Sequence, residues 1–282
     1  MFQLYQFKFS HYCEKVRWAL DHKGIPYAPR NLLPGFHLRV TRKLAPLTCL
    51  PILVADGVVV QDSTDIISFL EQKFPANPLS PKDPNDANEA LEWEEYLDAE
   101  IGVALRLWFY FYALPDRTLA LQFLSEGASW HQRSLFALAF PPIRSAMTKM
   151  MDVHAESADA SEARVVRALE RLDNALTRRP FLVIDRFSRA DLTACALLAP
   201  LCRPGEPDAQ VQLSLPAHVN AFRNEHKDRP IFRWVREMYG HYRRPVRPDS
   251  LSQQHQISNR HVTGAVLSGQ SRSPCPSMRR LP

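Results

Sequence analysis

Hydrophobic and polar positions near the start of the chain change period several times. Residues 2–7 are dense in aromatics and read as a strand. From His11 the period lengthens: Cys13, Val16 and Leu20 share a helical face, with Glu14, Lys15 and Arg17 on others. That helix ends near His22-Lys23-Gly24, basic in its last turn with glycine just beyond. Ser10 stands where strand becomes helix, a position that suits a capping hydroxyl. Tyr27–Leu32 predicts a second strand, parallel to the first after a right-handed crossover. Ile52–Ala55 and Val58–Gln61, joined by Asp56-Gly57, form a two-residue hairpin. A helix then runs from Ser63 to Phe74 with Ile66, Ile67 and Leu70 inward.

Beyond it Pro75, Pro78, Pro81 and Pro84 recur every third residue and favour a stiff, extended linker. From Asn88 on, the pattern is helical throughout. The run Trp108-Phe109-Tyr110-Phe111-Tyr112 offers either core packing or a pocket wall. A segment from Pro115 to Phe140 is expected to break or kink at Pro141-Pro142. Ser157–Arg178 is acidic early and basic late, as the helix dipole favours. In Phe187-Ser188-Arg189-Ala190-Asp191-Leu192 a serine cap is answered by Asp191 three residues on, with Phe187 placed to staple against Leu192. Arg203–Leu215 reads as an irregular loop, and Pro216–Tyr242 as two shorter helices.

Composition alters this picture mainly at the C-terminus. The net charge is +5, but seven arginines against one acid place +6 in residues 243–282, leaving 1–242 at −1. The high pI therefore gives no reason to expect a nucleic-acid partner. From Pro245 the chain turns to Ser, Pro, Gln and Arg and reads as a disordered basic tail. Five cysteines without a Cys-x-x-Cys pair argue for a reducing compartment and against a disulfide framework or a zinc site. The longest apolar run, Leu192–Cys202, is too short to span a bilayer. With no signal peptide recognisable at the start, a soluble cytoplasmic protein is expected.

Strand, helix, strand, hairpin and helix is the thioredoxin-like order, and this region resembles the N-terminal domain of glutathione transferases. The likeness is to the theta-like, serine-using members, in which Leu-Tyr is followed five residues later by Ser, as in Leu4-Tyr5 and Ser10. The resemblance implies an α/β thioredoxin-like domain (residues 1–76) that binds glutathione, a linker (77–84), an all-α domain (85–245) and the tail (246–282). It implies a homodimeric detoxification enzyme with glutathione as co-substrate, small-molecule substrates and no metal, nucleic-acid or membrane partner. Ser10 would stabilise the thiolate. His37 would meet the glycyl carboxylate, and Leu50 with Pro51, a position where such folds hold a cis-proline, would pair with the cysteinyl backbone. Asp62 and Ser63 would take the γ-glutamyl end. The sequence departs from the family at Cys49, where the family has Lys, with Arg42 or Lys43 as substitutes.

Three functions are compatible with these residues. One is conjugation of the thiolate with a small hydrophobic electrophile. The second is a non-catalytic interaction module of the same fold, which the Cys49 departure and the basic tail motivate. The third is a glutathione-dependent thiol reductase using Cys13. Tyr5 competes with Ser10 as the activating group. Cys13 shares a face with Val16 and Leu20, which favours an inert core thiol.

Overall fold

Strand β1 (Phe2–Gln6) alternates strictly, with Phe2, Leu4 and Gln6 buried and Gln3 and Tyr5 on the opposite face. In this computed structural model, which describes residues 1–202 and 215–244, it lies at the middle of a four-stranded sheet. Strand β2 (Tyr27–Asn31) runs parallel to it, and Pro29 is tolerated because β2 is an edge strand. On its other side β3 (Ile52–Ala55) is antiparallel, followed by β4 (Val58–Gln61) at the far edge. Asp56 and Gly57 both have positive φ (50° and 84°), as a type I′ turn requires. Helices α1 (His11–His22) and α3 (Ser63–Lys73) bury Val16, Leu20, Ile66, Ile67 and Leu70 against Leu4 and Leu53. On the other face Leu44, the last residue of α2 (His37–Leu44), packs with Tyr5 and Phe7 around Ile52. Helix α2 has no side-chain cap and buries only Thr41 completely, so it leaves no signature in the local pattern.

The rest of the described chain is helical: α4 (Pro84–Leu97), a π-helical turn (Asp98–Val103), α5 (Ala104–Ala113), α6 (Arg117–Leu124), α7 (Trp130–Met150), α8 (Ala155–Leu176), α9 (Arg189–Cys202), α10 (Ala217–His226) and α11 (Pro230–Tyr242). Helix α9 is buried along almost its entire length, with α1, α4 and α11 packed around it. The expected box at its start is present: the Ser188 amide and hydroxyl both donate to Asp191 Oδ2, at 2.8 and 2.7 Å. All but the last residue of the expected loop Arg203–Leu215, and the tail from residue 245, lie outside the described residues.

Two expectations need correction. Helix α4 begins at Pro84, ahead of the apolar pattern, because Asp83 caps the Asn85 amide and proline suits the first helical position. The proline-rich stretch is tied to the first half: Glu71 accepts from the Leu79 and Ser80 amides, and Lys23 donates to the Phe74 and Ala76 carbonyls just before it. Helix α7 runs through Pro141-Pro142 instead of ending there. Proline at 141 deprives the Ala137 carbonyl of its intrahelical donor, and Arg117 Nη2 supplies another at 2.9 Å.

The two halves approach closely at Gly102. An added Cβ there would lie 2.3 Å from the Tyr12 hydroxyl, which donates to the Asp98 carbonyl at 2.8 Å. Gly102→Ala is therefore expected to displace Tyr12 and cost about 1–3 kcal/mol, as overpacking does. A melting temperature within a degree of wild type would show that the contact yields freely.

Candidate active site

The β1–α1 turn, the approach to α2 and the Thr48–Leu50 segment form one wall of a cavity of about 870 Å³; α5 and α7 form the facing wall. Ser10 lines it from the N-terminus of α1. Its Oγ accepts from the Cys13 amide at 3.4 Å, so the capping role is real but long. Capping uses an oxygen lone pair and leaves the hydroxyl proton to donate to an anion in the cavity. Tyr5, the rival, does not line the cavity; its hydroxyl donates to Gln3 Oε1 at 3.3 Å.

His11, adjacent to Ser10, turns toward the helical half, where Nε2 lies 3.1 Å from the Gly102 carbonyl. Burial, with Arg106 nearby, pushes its pKa down to about 3, so the ring is neutral and donates that hydrogen bond. It is neither solvated nor poised as a base, contrary to the simplest expectation for a residue beside a cap. Cys13 is fully buried and its thiol pKa is raised by that burial.

His37 lines the cavity from the first turn of α2, its ring edge-on to Phe7 at 4.9 Å. Burial lowers its pKa to about 4, and its buried Nδ1 has no hydrogen-bond partner among the described residues. Leu50 also lines the cavity, and the Leu50–Pro51 bond is cis. A residue that sequence reasoning missed holds this loop: Gln61 Nε2 donates to the Leu47 and Cys49 carbonyls, both at 2.8 Å. Cys49 is buried against the cavity, whereas Arg42 and Lys43 are exposed and do not line it. The cation at the rim is instead Lys8.

Pro51, Asp62 and Ser63 stand outside the cavity lining. The Asp62 amide reaches the Pro51 carbonyl at 3.3 Å, so the three form one corner beside it. Asp62 adopts φ 85°, ψ 140°, a region nearly restricted to glycine, and its Oδ1 caps the Thr64 amide at 2.8 Å. Ser63 is only 1% exposed.

Behind this corner lies an ionic cluster with no local sequence signal. Lys15, placed by its spacing on a polar face, is 0% exposed and bonds Glu94 at 2.6 Å and Asp98 at 2.9 Å. Arg189 binds the other Glu94 oxygen at 2.5 Å and donates to the Thr64 carbonyl. The Thr64 hydroxyl lies within 2.9 Å of Glu94 and 3.1 Å of the Lys15 ammonium. The cluster thus ties the start of α3 to α1, α4 and α9. Burial and the neighbouring Glu94 push Asp98 up to about 6 despite Lys15. Glu94, served by two cations, is held low.

Of the aromatic run on α5, Trp108, Phe109 and Tyr110 line the cavity; Phe111 and Tyr112 do not. Among the described residues no cluster of His, Cys, Asp and Glu is placed to hold a metal, and no helix is long and apolar enough to cross a membrane.

Comparison with known proteins agrees with this fold. A family model for the glutathione S-transferase N-terminal domain matches residues 4–78, and one for the C-terminal domain matches residues 132–228. The chain belongs to the glutathione transferase superfamily. Over 80 residues it is 45% identical to glutathione S-transferase 1 of Dianthus caryophyllus. It is 39% identical over 80 residues to glutathione S-transferase Z1 of Arabidopsis thaliana. Each match spans 27% of this chain and 36% of the plant relative's length. Among solved structures, the β-etherase LigF of Sphingobium sp. strain SYK-6 shares the fold at 23% identity, with a TM-score of 0.57, over 84% of this chain and 98% of that one. A theta class transferase of Xanthomonas axonopodis pv. citri with glutathione bound does so at 18% identity, with a TM-score of 0.51, over 87% and 99%. The fold is thus shared over most of the chain, while the two plant relatives match only 27% of it.

Proposed function

We propose that the chain binds glutathione beside Ser10 and conjugates its thiolate with small hydrophobic electrophiles, as a cytoplasmic detoxifying enzyme. The carrying observation is that the Ser10 hydroxyl, at the N-terminus of α1, opens into a cavity whose facing wall is largely apolar. In this reading residues 1–76 bind glutathione, 77–84 join the halves, and 85–245 supply the electrophile's wall; the family resemblance adds a homodimer.

The energetics are adequate. Lowering a thiol pKa from about 8.5 by two units takes roughly 2.7 kcal/mol. A helix N-terminus supplies about 0.3–1 kcal/mol, up to about 2 when partly buried. A hydrogen bond from Ser10 to the anion adds about 1.5–3 kcal/mol. Ser10 is then a stabiliser of the nucleophile, not the nucleophile. His37, neutral because of burial, would meet the glycyl end as a hydrogen-bond partner without forming an ion pair. Leu50 and Pro51 would face the cysteinyl backbone. Asp62 and Ser63, at the start of α3, would meet the γ-glutamyl end, which has to enter the corner where Ser63 is buried. A reductase using Cys13 gains no support, since that thiol is buried with a raised pKa.

The test is retention of the full chain on immobilised glutathione, followed by turnover of chlorodinitrobenzene. Binding with turnover is the expected result. Binding without turnover favours the non-catalytic interaction module, and absence of binding removes glutathione from the site altogether.

A further inference from the structure

Helix α7 turns one apolar face to the core and a second to solvent. Phe136, Phe140 and Met147 are buried with Tyr110 and Phe123. On the outward side Leu138 is 80% exposed, Trp130 70% and Leu135 56%. With about 3.6 residues per turn, Trp130, Leu138 and Pro141 recur along one side, and Leu135 and Pro142 lie beside them. Both prolines are exposed as well. A helix that used only its inner face would show polar residues here.

The charge of this helix has one sign. No acidic residue lies between Glu126 and Asp152, whereas His131, Arg133, Arg144 and Lys149 are all exposed. Arg133 Nε donates to the Ala128 carbonyl at 3.1 Å, a neutral acceptor that leaves the charge uncompensated. Arg117 of α6, bonded to the Ala137 carbonyl, adds a cation at the flank. The sign argues against two covers that this chain could itself supply. Residues 243–282 carry +6 by sequence and would be repelled. A second copy meeting the same face would set Arg133 of one helix against Arg144 or Lys149 of the other. The occupant is therefore anionic, and it offers an apolar layer to leucine and tryptophan. A lipid headgroup layer has both properties.

We propose that α7 is an interfacial helix through which the protein docks reversibly on anionic lipid membranes. Trp130, Leu135 and Leu138 enter the headgroup layer, while Arg133, Arg144 and Lys149 meet lipid phosphates. No spanning segment is needed for such binding. Docking does not depend on the transferase reading, but it bears on it. Ile143, Ala146 and Met147 of the same helix line the cavity, so a docked α7 holds the cavity wall about 10 Å, one helix diameter, from lipid.

The test is co-sedimentation of the full chain with vesicles of phosphatidylcholine, pure or containing about one third phosphatidylglycerol as the anionic lipid. The wild type is expected to bind the anionic vesicles at least tenfold more tightly. The arginine-rich tail could produce that preference alone, so the deciding variant is Trp130→Ser/Leu138→Ser, which removes no charge and leaves the tail intact. It should melt as wild type does and bind anionic vesicles at least tenfold more weakly. Arg133→Gln/Arg144→Gln/Lys149→Gln should weaken binding to anionic vesicles and leave neutral ones unaffected. Quenching of tryptophan fluorescence by brominated lipid, lost in Trp130→Phe, reads the insertion independently. A wild type that ignores anionic vesicles overturns the proposal, as does a double variant that binds them equally well, which would assign binding to the tail. A wild-type dimer that the double variant dissociates overturns it too, because a second copy then covers the face. Tight binding of soluble polyglutamate, lost in the double variant without any vesicle binding, would give the face to an acidic protein instead.

Discussion

Lys15→Met is expected to lower stability by about 3–5 kcal/mol, the cost of removing one partner from a buried ion pair. At the size of this chain that corresponds to a fall of about 10 °C in melting temperature. Lys15 is wholly buried and bonds both Glu94 and Asp98; without it Arg189 alone faces two buried carboxylates. The pH dependence distinguishes this cause from lost packing. Asp98 already has its pKa raised to about 6 by burial and Glu94, and loss of the ammonium raises it further. A carboxyl whose folded pKa lies above its unfolded one favours folding at low pH and loses that contribution as pH rises through the folded value. The variant should therefore be less impaired at pH 5 than at pH 8. A loss of the same size at both would mean that the cluster's charge does not matter to it.

Ser10→Ala is expected to raise the apparent pKa of bound glutathione by about one to two units, the worth of one charge-assisted hydrogen bond. Turnover at neutral pH should fall about tenfold to a hundredfold with it, while glutathione affinity changes little. The 3.4 Å capping bond to the Cys13 amide predicts a separate, smaller effect, about 1 kcal/mol of stability at most. Titration of the thiolate absorbance in both proteins measures the first, and melting measures the second. Coincident titrations would leave Ser10 as a cap only. They would also leave the activation unexplained, because Tyr5, the alternative read from sequence, faces Gln3 and not the cavity.

What the sequence determined by itself is what depends on neighbours within a few residues. The alternation of Phe2, Leu4 and Gln6, the Asp56-Gly57 turn, Gly24 beyond α1 and the Ser188–Asp191 box are local, and each is found where its chemistry demands. Backbone sterics, capping and periodicity act over one turn or one strand pair, so a linear reading captures them. Ser10, His37 and Leu50 were legible as candidates by resemblance, and the fold brings these three to one cavity; it sets Pro51, Asp62 and Ser63 at a corner beside it. Tertiary structure alone decided the rest. Lys15 looks like a solvated face until Glu94 and Asp98 arrive from the helical half to neutralise it. Proline ends most helices, yet α7 continues because Arg117, on another helix, takes the Ala137 carbonyl. His11 and His37 are neutral for want of water, not for any neighbour in sequence. Desolvation and charge pairing depend on what surrounds a group in space, and those surroundings come from parts of the chain that no local pattern connects.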